Sequence, residues 1–254
     1  MSSVRAAAMA LALVAAVSAR AQEFRLPTHP PPAQFGNVLI SRTTFSGPVR
    51  PVLFPHAIHR IRYTCRVCHL ELGFALRHNA TEISEDANRK GAFCGACHDG
   101  RTAFGVSEPN CARCHTGTAD ADQKMLLDRL QGLPVARFGN GVDWSKALAT
   151  GAIHPVSSLL PDFQPMELDT TLSLEADWSF VPPAIFPHAE HVRWLDCANC
   201  HPDLFNVKKK TTRHFSMKLN LAREFCGACH VRVAFPLDDC KRCHPTMSDA
   251  PFQE

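Results

Sequence analysis

The placement of cysteine constrains this chain more than any other feature of its sequence. All twelve cysteines lie in six Cys-x-x-Cys-His motifs, in which a histidine directly follows the second cysteine. The motif is typical of c-type haem attachment, because two thiols bond to the porphyrin and the adjacent imidazole reaches its iron. The attachment cysteines are Cys65, Cys68, Cys94, Cys97, Cys111, Cys114, Cys197, Cys200, Cys226, Cys229, Cys240 and Cys243, and the proximal histidines are His69, His98, His115, His201, His230 and His244.

Other uses of paired cysteines explain the motifs less well. Zinc ribbons also contain Cys-x-x-Cys pairs, but they have no reason to place a histidine after every second cysteine. A disulfide framework is common in exported proteins, yet it does not require this repeated spacing. We therefore predict six covalently bound c-type haems as the cofactors, with no cysteine left as a free thiol.

The six motifs fall into two sets that repeat one unit of sequence. Residues 54–57 (Phe-Pro-His-Ala) recur as 186–189, and residues 93–98 recur as 225–230, both with a shift of 132 positions. The last motif is shifted by 129 positions, because the loop before it is three residues shorter. An internal duplication explains such a constant shift. The predicted organisation is a signal peptide at 1–21, an N-terminal segment at 22–47, unit 1 at 48–119, a connector at 120–180 and unit 2 at 181–250.

We expect little regular structure, since six haems in a chain of this length leave little room for a conventional side-chain core. The predicted fold class is haem-organised, mostly coil with short α-helices and small β-hairpins, in two tandem trihaem units. Residues 38–40 and 52–54 favour a hairpin before the first motif. Apolar residues at helical spacing predict a connector helix at 121–131, and Asp143 suits the N-cap of a second helix that ends at 149.

The ligand on the second face of each iron decides between an electron carrier and a site open to substrates. Eight histidines lie outside the motifs, enough to close all six irons. Pro55 suits the start of a short helix, which places His56 and His59 at i and i+3 on one face. Two imidazoles on one helical turn must bind different irons, which this geometry places roughly 10–15 Å apart. His188 and His191 repeat the arrangement in unit 2.

The order Phe-Pro-His-x-x-His, followed by three haem motifs, resembles the trihaem c-seven cytochromes and their tandem, nanowire-like relatives. The likeness covers both units but neither the connector nor the N-terminal segment. It implies that the first histidine of each pair binds the first haem of its unit and that the second histidine binds the second haem. The implied ligand pairs are His56 with His69, His59 with His98, His188 with His201, and His191 with His230.

The third haem of each unit departs from the pattern of the simplest family members, in which a histidine shortly before the second motif is the distal ligand. In unit 1 that interval contains only His78, which we predict as the ligand. In unit 2 it contains His214 and Met217, and both remain candidates because some tandem relatives use methionine at this haem. His154 is a reserve ligand in the connector, and His29 is expected to have no role.

Residues 1–21 have the form of a secretory signal peptide. Arg5 precedes a short apolar run at 6–17, and Ala19-Arg20-Ala21 is a cleavage site of the A-x-A type. The run is too short to span a bilayer, and no later segment is long enough. The mature chain is therefore expected in the periplasm or outside the cell, without an integral membrane segment.

The net charge gives no argument for nucleic acid binding. It is formally +3, but each ferric haem with two ionised propionates adds negative charge to the holoprotein. Haems closed by histidine in an exported chain favour an electron-transfer conduit, not an enzyme, in anaerobic respiration or extracellular electron transfer. The expected partners are other redox proteins: cytochromes, quinol-linked complexes or surface cytochromes.

Two other functions fit the same motifs. One is a multihaem oxidoreductase of the nitrite or hydroxylamine type, which keeps one haem open to substrate. The other is a structural subunit of a cytochrome filament or respiratory complex, assembled with other haem subunits. The spin state of each iron separates the first alternative from an electron carrier, because an open haem lacks a second strong ligand.

Overall fold

The computed structural model describes residues 26–44, 47–120, 123–208, 212 and 215–248. The predicted signal peptide and His214 therefore lie outside the described residues. Within the described ranges, short helices and two small sheets are joined by irregular segments, which confirms the predicted fold class. No helix in this part of the chain is long and apolar enough to cross a membrane.

The regular elements are all short. The strands are β1 (Asn37–Ile40), β2 (Val52–Pro55), β3 (Thr171–Leu174) and β4 (Ala184–Pro187). The α-helices are α1 (His56–Arg62), α2 (Glu85–Arg89), α3 (Cys111–Cys114), α4 (Gln123–Leu130), α5 (Trp144–Ala149), α6 (His188–Val192), α7 (Cys197–Cys200), α8 (Met217–Leu221), α9 (Gly227–His230) and α10 (Cys240–Cys243). Residues Pro32–Gln34 and Phe93–Ala96 form 3-10 helices, and Val67–Glu71 forms a π-helical turn.

In both copies an antiparallel hairpin leads directly into the helix with the paired histidines, and the first strand of each hairpin lies before the predicted start of its unit. Strand β1 pairs with β2 and β3 with β4, so that Pro55 lies opposite Asn37 and Pro187 opposite Thr171. The hairpin predicted before the first motif is confirmed. The two prolines end their strands and occupy the N-cap positions of α1 and α6. The hairpins thereby determine where the histidine pairs begin.

The duplication is also visible before the second motif of each unit. Helices α2 and α8 follow Ser84 and Ser216, whose hydroxyls accept a hydrogen bond from the backbone N–H three residues later. Such serine caps satisfy donors that have no partner within the helix. Gly95 and Gly227 pack against these helices so closely that a Cβ atom would lie 1.8 or 1.7 Å from a backbone carbonyl oxygen. Only glycine fits at either position.

The connector folds against unit 1. Helix α4 falls within the predicted range and buries Leu126, and Asp143 caps α5 by accepting from the Lys146 N–H, as predicted. Beyond α5 the chain runs beside unit 1, where the N–H of Val156 donates to Arg62 at 2.8 Å and its carbonyl accepts from Thr64 at 3.0 Å. The connector is therefore part of the packed structure.

A cluster of buried polar contacts, which we call the unit junction, joins the first motifs of the two units. Arg66 lies between the cysteines of the first motif, and its backbone N–H donates to the carbonyl of Trp194 at 2.9 Å. Its guanidinium contacts the carboxylates of Glu71 and Asp196, the latter at 3.2 Å. The amide of Asn199, inside the fourth motif, donates to the carbonyl of His69 at 3.1 Å.

Candidate haem-binding sites

The six proximal histidines and the four paired histidines share one hydrogen-bonding pattern. In each, Nδ1 lies 2.6–3.0 Å from a backbone carbonyl oxygen. A carbonyl oxygen only accepts, so Nδ1 carries the proton and Nε2 keeps its lone pair for a metal. The structure therefore prepares all ten imidazoles for coordination through the same nitrogen.

Three of the four predicted ligand pairs face each other across a gap of constant width. The ring centroids are 6.4 Å apart for His56 and His69, 6.3 Å for His59 and His98, and 6.2 Å for His191 and His230. Two imidazoles on one metal, each with a bond of about 2 Å as in zinc sites, have centroids about 6 Å apart. The gap therefore fits one iron between each pair.

Desolvation favours the neutral form of five of these six imidazoles. Removal from water lowers the pKa of His56 to about 3 and that of His230 to about 4, although hydrogen bonds to backbone carbonyls act in the opposite direction. The same desolvation lowers the pKa of His59, His69 and His191. A neutral imidazole is the form that binds a metal.

Phenylalanine holds each histidine pair in place. Phe54 stacks on His59 with a centroid distance of 4.2 Å and meets His56 edge-on at 4.7 Å. Phe186 makes the same two contacts with the pair of unit 2. Sequence reasoning used Phe54 and Phe186 only as markers of the repeat and missed this positioning role, although their recurrence was the available signal.

The fourth predicted pair differs from the other three. His188 donates from Nδ1 to Thr170, and His201 donates to Phe205. No ring contact joins His188 to His201 among the described residues. The structure thus prepares both imidazoles individually, without bringing them face to face.

The attachment cysteines are unpaired; Cys111 and Cys197 are exposed, and the other ten are partly buried. Burial raises the pKa of Cys68, Cys226 and Cys229 to about 12, with a further contribution from neighbouring thiols. For Cys229 those neighbours are Cys65 and Cys200. The thiols of the first, fourth and fifth motifs therefore converge where the two units meet.

The third site of unit 2 contains a partly open cavity with a largely apolar lining. Cys240, Cys243 and His244 line it together with the candidate ligand Met217. The Asn220 side-chain oxygen is buried without a hydrogen-bond partner among the described residues, and Asn220 also lines the cavity. An apolar space with attachment cysteines on its wall and an unsatisfied polar atom fits a haem.

Met247 also lines this cavity and is buried, three residues after His244. Sequence reasoning missed it, because the search for ligands covered only the interval before the second motif of each unit. Its proximity to the last proximal histidine was the signal available. Met217 and Met247 are thus the two thioethers beside this site.

The third site of unit 1 is more exposed. Its proximal histidine, His115, donates from Nδ1 to Arg50 at 2.6 Å, and Cys111 is exposed. The predicted distal ligand His78 is itself exposed, and its Nε2 lies 2.7 Å from the carbonyl oxygen of Leu39. His78 therefore uses the nitrogen that the other ten imidazoles leave free, an arrangement that does not favour iron ligation.

Two further histidines of the described residues, His29 and His154, make no ring contact with a motif histidine. His154 is exposed in the connector, where it lies over Gly151. His29 lies 3.1 Å from the carboxylate of Asp238 in unit 2. His29 therefore fastens the N-terminal segment to unit 2, a contact that the sequence did not suggest.

Both units of the chain have relatives among known proteins. A family model described as cytochrome c7 and related cytochrome c matches residues 52–116 and 184–245. Among solved structures, the C-terminal hexahaem fragment of GSU1996 is 25% identical, with 85% of this chain and 99% of that chain covered and a TM-score of 0.27. The dodecahaem cytochrome c GSU1996 is 25% identical, with 79% and 72% covered and a TM-score of 0.29. No curated protein matches the chain significantly.

The family matches coincide with the two trihaem units and include all six motifs. Covalently bound c-type haems are what this family implies, and the paired histidines, free Nε2 atoms and thiol-lined cavity fit them. The chain belongs to the family of cytochrome c7 and related cytochromes c, as two c7-like units in tandem.

Proposed function

We propose that this cytochrome is an exported hexahaem electron-transfer protein that serves anaerobic respiration or extracellular electron transfer. The observation that carries the proposal is the set of three facing imidazole pairs, each with room for one iron. Two strong ligands on an iron leave no position for a substrate, so these sites suit electron exchange. The twelve attachment cysteines support six haems, and the sequence of residues 1–21 supports export.

The haems supply reversible one-electron transfer, and the residues of the chain determine its geometry. His56 and His59 leave one helical turn, so helix α1 links the first two haems of unit 1 through ligands on a single element. Helix α6 does the same in unit 2 with His188 and His191. Buried, neutral imidazoles with fixed Nδ1 hydrogen bonds need little rearrangement when the charge of the site changes.

The unit junction supports a route between the units. Asn199 of the fourth motif donates to His69 of the first motif, and Arg66 of the first motif contacts Asp196 beside the fourth. We therefore propose that electrons cross between units 1 and 2 at their first haems. The redox partners, which we expect to be other cytochromes or quinol-linked complexes, would then exchange electrons with the outer haems.

Purified holoprotein tests the proposal. We expect a mass equal to residues 22–254 plus six haems, no titratable thiol after denaturation, and reversible reduction of all haems. Stopped-flow mixing with a small reductant should reduce both units without a lag between them. Fewer than six covalent haems, or one unit that remains oxidised while the other is reduced, would contradict it.

A further inference from the structure

Helices α2 and α8 occupy the same position in the two units. Both follow a capping serine, and both pack on the glycine of the second motif at nearly the same distance. The two segments are related by the same 132-residue shift as the motifs. This correspondence pairs Glu85 with Met217 and Asn88 with Asn220.

In unit 2 this helix faces the third haem site. Met217 and Asn220, which are three residues apart on one helical face, both line the cavity of Cys240, Cys243 and His244. Glu85 and Asn88 therefore occupy the corresponding places beside the third site of unit 1. A hydrogen bond with Glu108 is the main cause that raises the pKa of the Cys111 thiol, and the carboxylate of Glu85 adds a small contribution, which agrees with this placement.

The side chain of Glu85 differs from that of Met217 in chemistry and in surroundings. Its carboxylate is 73% exposed and pairs with Arg89 at 2.6 Å. Met217, in contrast, presents a thioether to a largely apolar cavity. With His78 held at Leu39, neither residue supplies an imidazole or thioether to this site.

We propose that the third haem of unit 1 has His115 as its only strong protein ligand and binds small neutral molecules, such as carbon monoxide, on its other face. The inference rests on the haem content of the proposed function. The carboxylate of Glu85 is exposed and already paired with Arg89, so it attracts no anion to the site, and small neutral ligands remain the favoured class.

Asn88 supplies a hydrogen-bond acceptor for a water or another ligand with an O–H or N–H group at this site. Its side-chain oxygen is buried and has no hydrogen-bond partner among the described residues. Buried polar groups in proteins nearly always have a partner. An amide at this place can hydrogen-bond a polar molecule or a water held at the site.

Spectroscopy of the holoprotein tests the proposal. We expect the oxidised protein to show one high-spin iron in six by magnetic resonance, and the reduced protein to bind one equivalent of carbon monoxide. Six low-spin irons and no carbon monoxide binding would overturn the inference, yet leave the electron-transfer function intact. Fewer than six haems by mass would instead count against the proposed function.

Substitutions at Glu85 locate the ligand site. Glu85→Met, which copies unit 2, should lower carbon monoxide affinity at least tenfold and shift the high-spin iron to low spin. Glu85→Gln keeps the shape of the side chain and supplies no thioether, so it should leave the iron high-spin and change carbon monoxide affinity by less than about threefold. The matched control is Glu82→Met, at an exposed carboxylate paired with Arg42, and it should change neither carbon monoxide affinity nor the spin state.

Two outcomes with these variants would overturn the assignment. One is an unchanged carbon monoxide affinity and spin state in Glu85→Met, because the open iron would then lie elsewhere. The other is a high-spin iron that appears only in His78→Ala, because His78 would then be the distal ligand. Haem content by mass shows whether each variant has assembled.

Discussion

At the scale of single residues, the imidazoles are distinguished by which ring nitrogen is free. Ten histidines donate from Nδ1 to a carbonyl, and His78 instead places Nε2 on one. Because Nε2 is the nitrogen left for iron, this bond separates the residues prepared for ligation from one that is not. The position of His78 in the sequence does not reveal which of its ring nitrogens is free, since His78 lies in the interval where the family pattern has a ligand.

A prediction at this scale concerns Met217. A methionine ligand raises a haem's potential relative to histidine, so the haem of His244 should have the highest potential in the protein. Met217→Leu should lower that potential and abolish the near-infrared sulfur-to-iron band. Reductive titration with near-infrared spectra measures both.

Met247→Leu is the matched control, since Met247 lines the same cavity and undergoes the same substitution. We expect it to keep the band. Loss of the band in Met247→Leu alone, or a protein without any such band, would contradict ligation by Met217. A new high-spin iron in His214→Ala would assign the position to His214.

At the scale of elements, the repeat preserves packing as well as ligands. The capping serines, the short helices α2 and α8, and Gly95 and Gly227 recur together. Each glycine directly follows the first cysteine of the second motif in its unit. The packing of the short helix on this glycine therefore also helps to position the second haem of the unit. The helices of the motifs themselves span four or five residues, too few to be predicted from apolar periodicity.

Gly227→Ala tests this packing. Its Cβ atom would lie 1.7 Å from the carbonyl oxygen of Asn220, so the helix must move away from the motif. Overpacking of this kind costs about 1–3 kcal/mol of unfolding free energy, and we expect at least that loss by denaturant unfolding of the holoprotein. Gly47→Ala is the control, because nothing lies within 4 Å of its added atom. Equal stability of both variants would show that α8 does not constrain the motif.

At the scale of the whole molecule, the connector and the unit junction make one structure of the two copies. Arg66 and Glu71 have side chains only 10% and 8% exposed. Glu71 also accepts from Ser158 and from the N–H of Leu159, which ties the connector to the same cluster. Arg60 adds contacts with Trp144 of the connector and Trp194 of unit 2. Removal of Arg66 would therefore loosen three parts of the chain at once.

Arg66→Met should destabilise the holoprotein by about 3–5 kcal/mol, the usual cost of leaving a buried charge without its partner. Arg77→Met is the control, because Arg77 is 81% exposed and pairs with Glu224 across the units at 3.7 Å. Its loss should cost under about 1 kcal/mol. Denaturant unfolding at neutral pH measures both, and equal losses would contradict the role of the junction.

The junction also predicts a dependence on pH. Burial raises the pKa of Glu71, but hydrogen bonds from Ser158, Leu159 and Arg66 outweigh it and hold the pKa below its usual value. A carboxyl whose pKa is lower in the folded state stabilises the folded protein fully at a pH above its unfolded-state pKa, which is near 4.3. That stabilisation is lost as the pH falls through the folded-state pKa. The difference in stability between the native protein and Arg66→Met should therefore shrink in acid.

Much of the site could be predicted from the sequence because its signals are local. The Cys-x-x-Cys-His motifs, the i and i+3 histidines and the shift of 132 positions each depend on a few neighbouring residues. Hairpin β1–β2 and helix α5 could be predicted for the same reason, from two short apolar runs and from the cap at Asp143. Covalent attachment and helical spacing dictate which atoms lie close together without reference to the rest of the fold.

Only the tertiary structure decided how distant segments meet. The fold of the connector along unit 1, the contact of His29 with Asp238 and the cluster around Arg66 join residues far apart in sequence. No local pattern encodes such contacts, since they depend on which surfaces the folded parts present to each other. The same physical reason separates the third sites: identical positions in the repeat hold Glu85 and Met217, and only their surroundings show that one is solvated and the other lines a cavity.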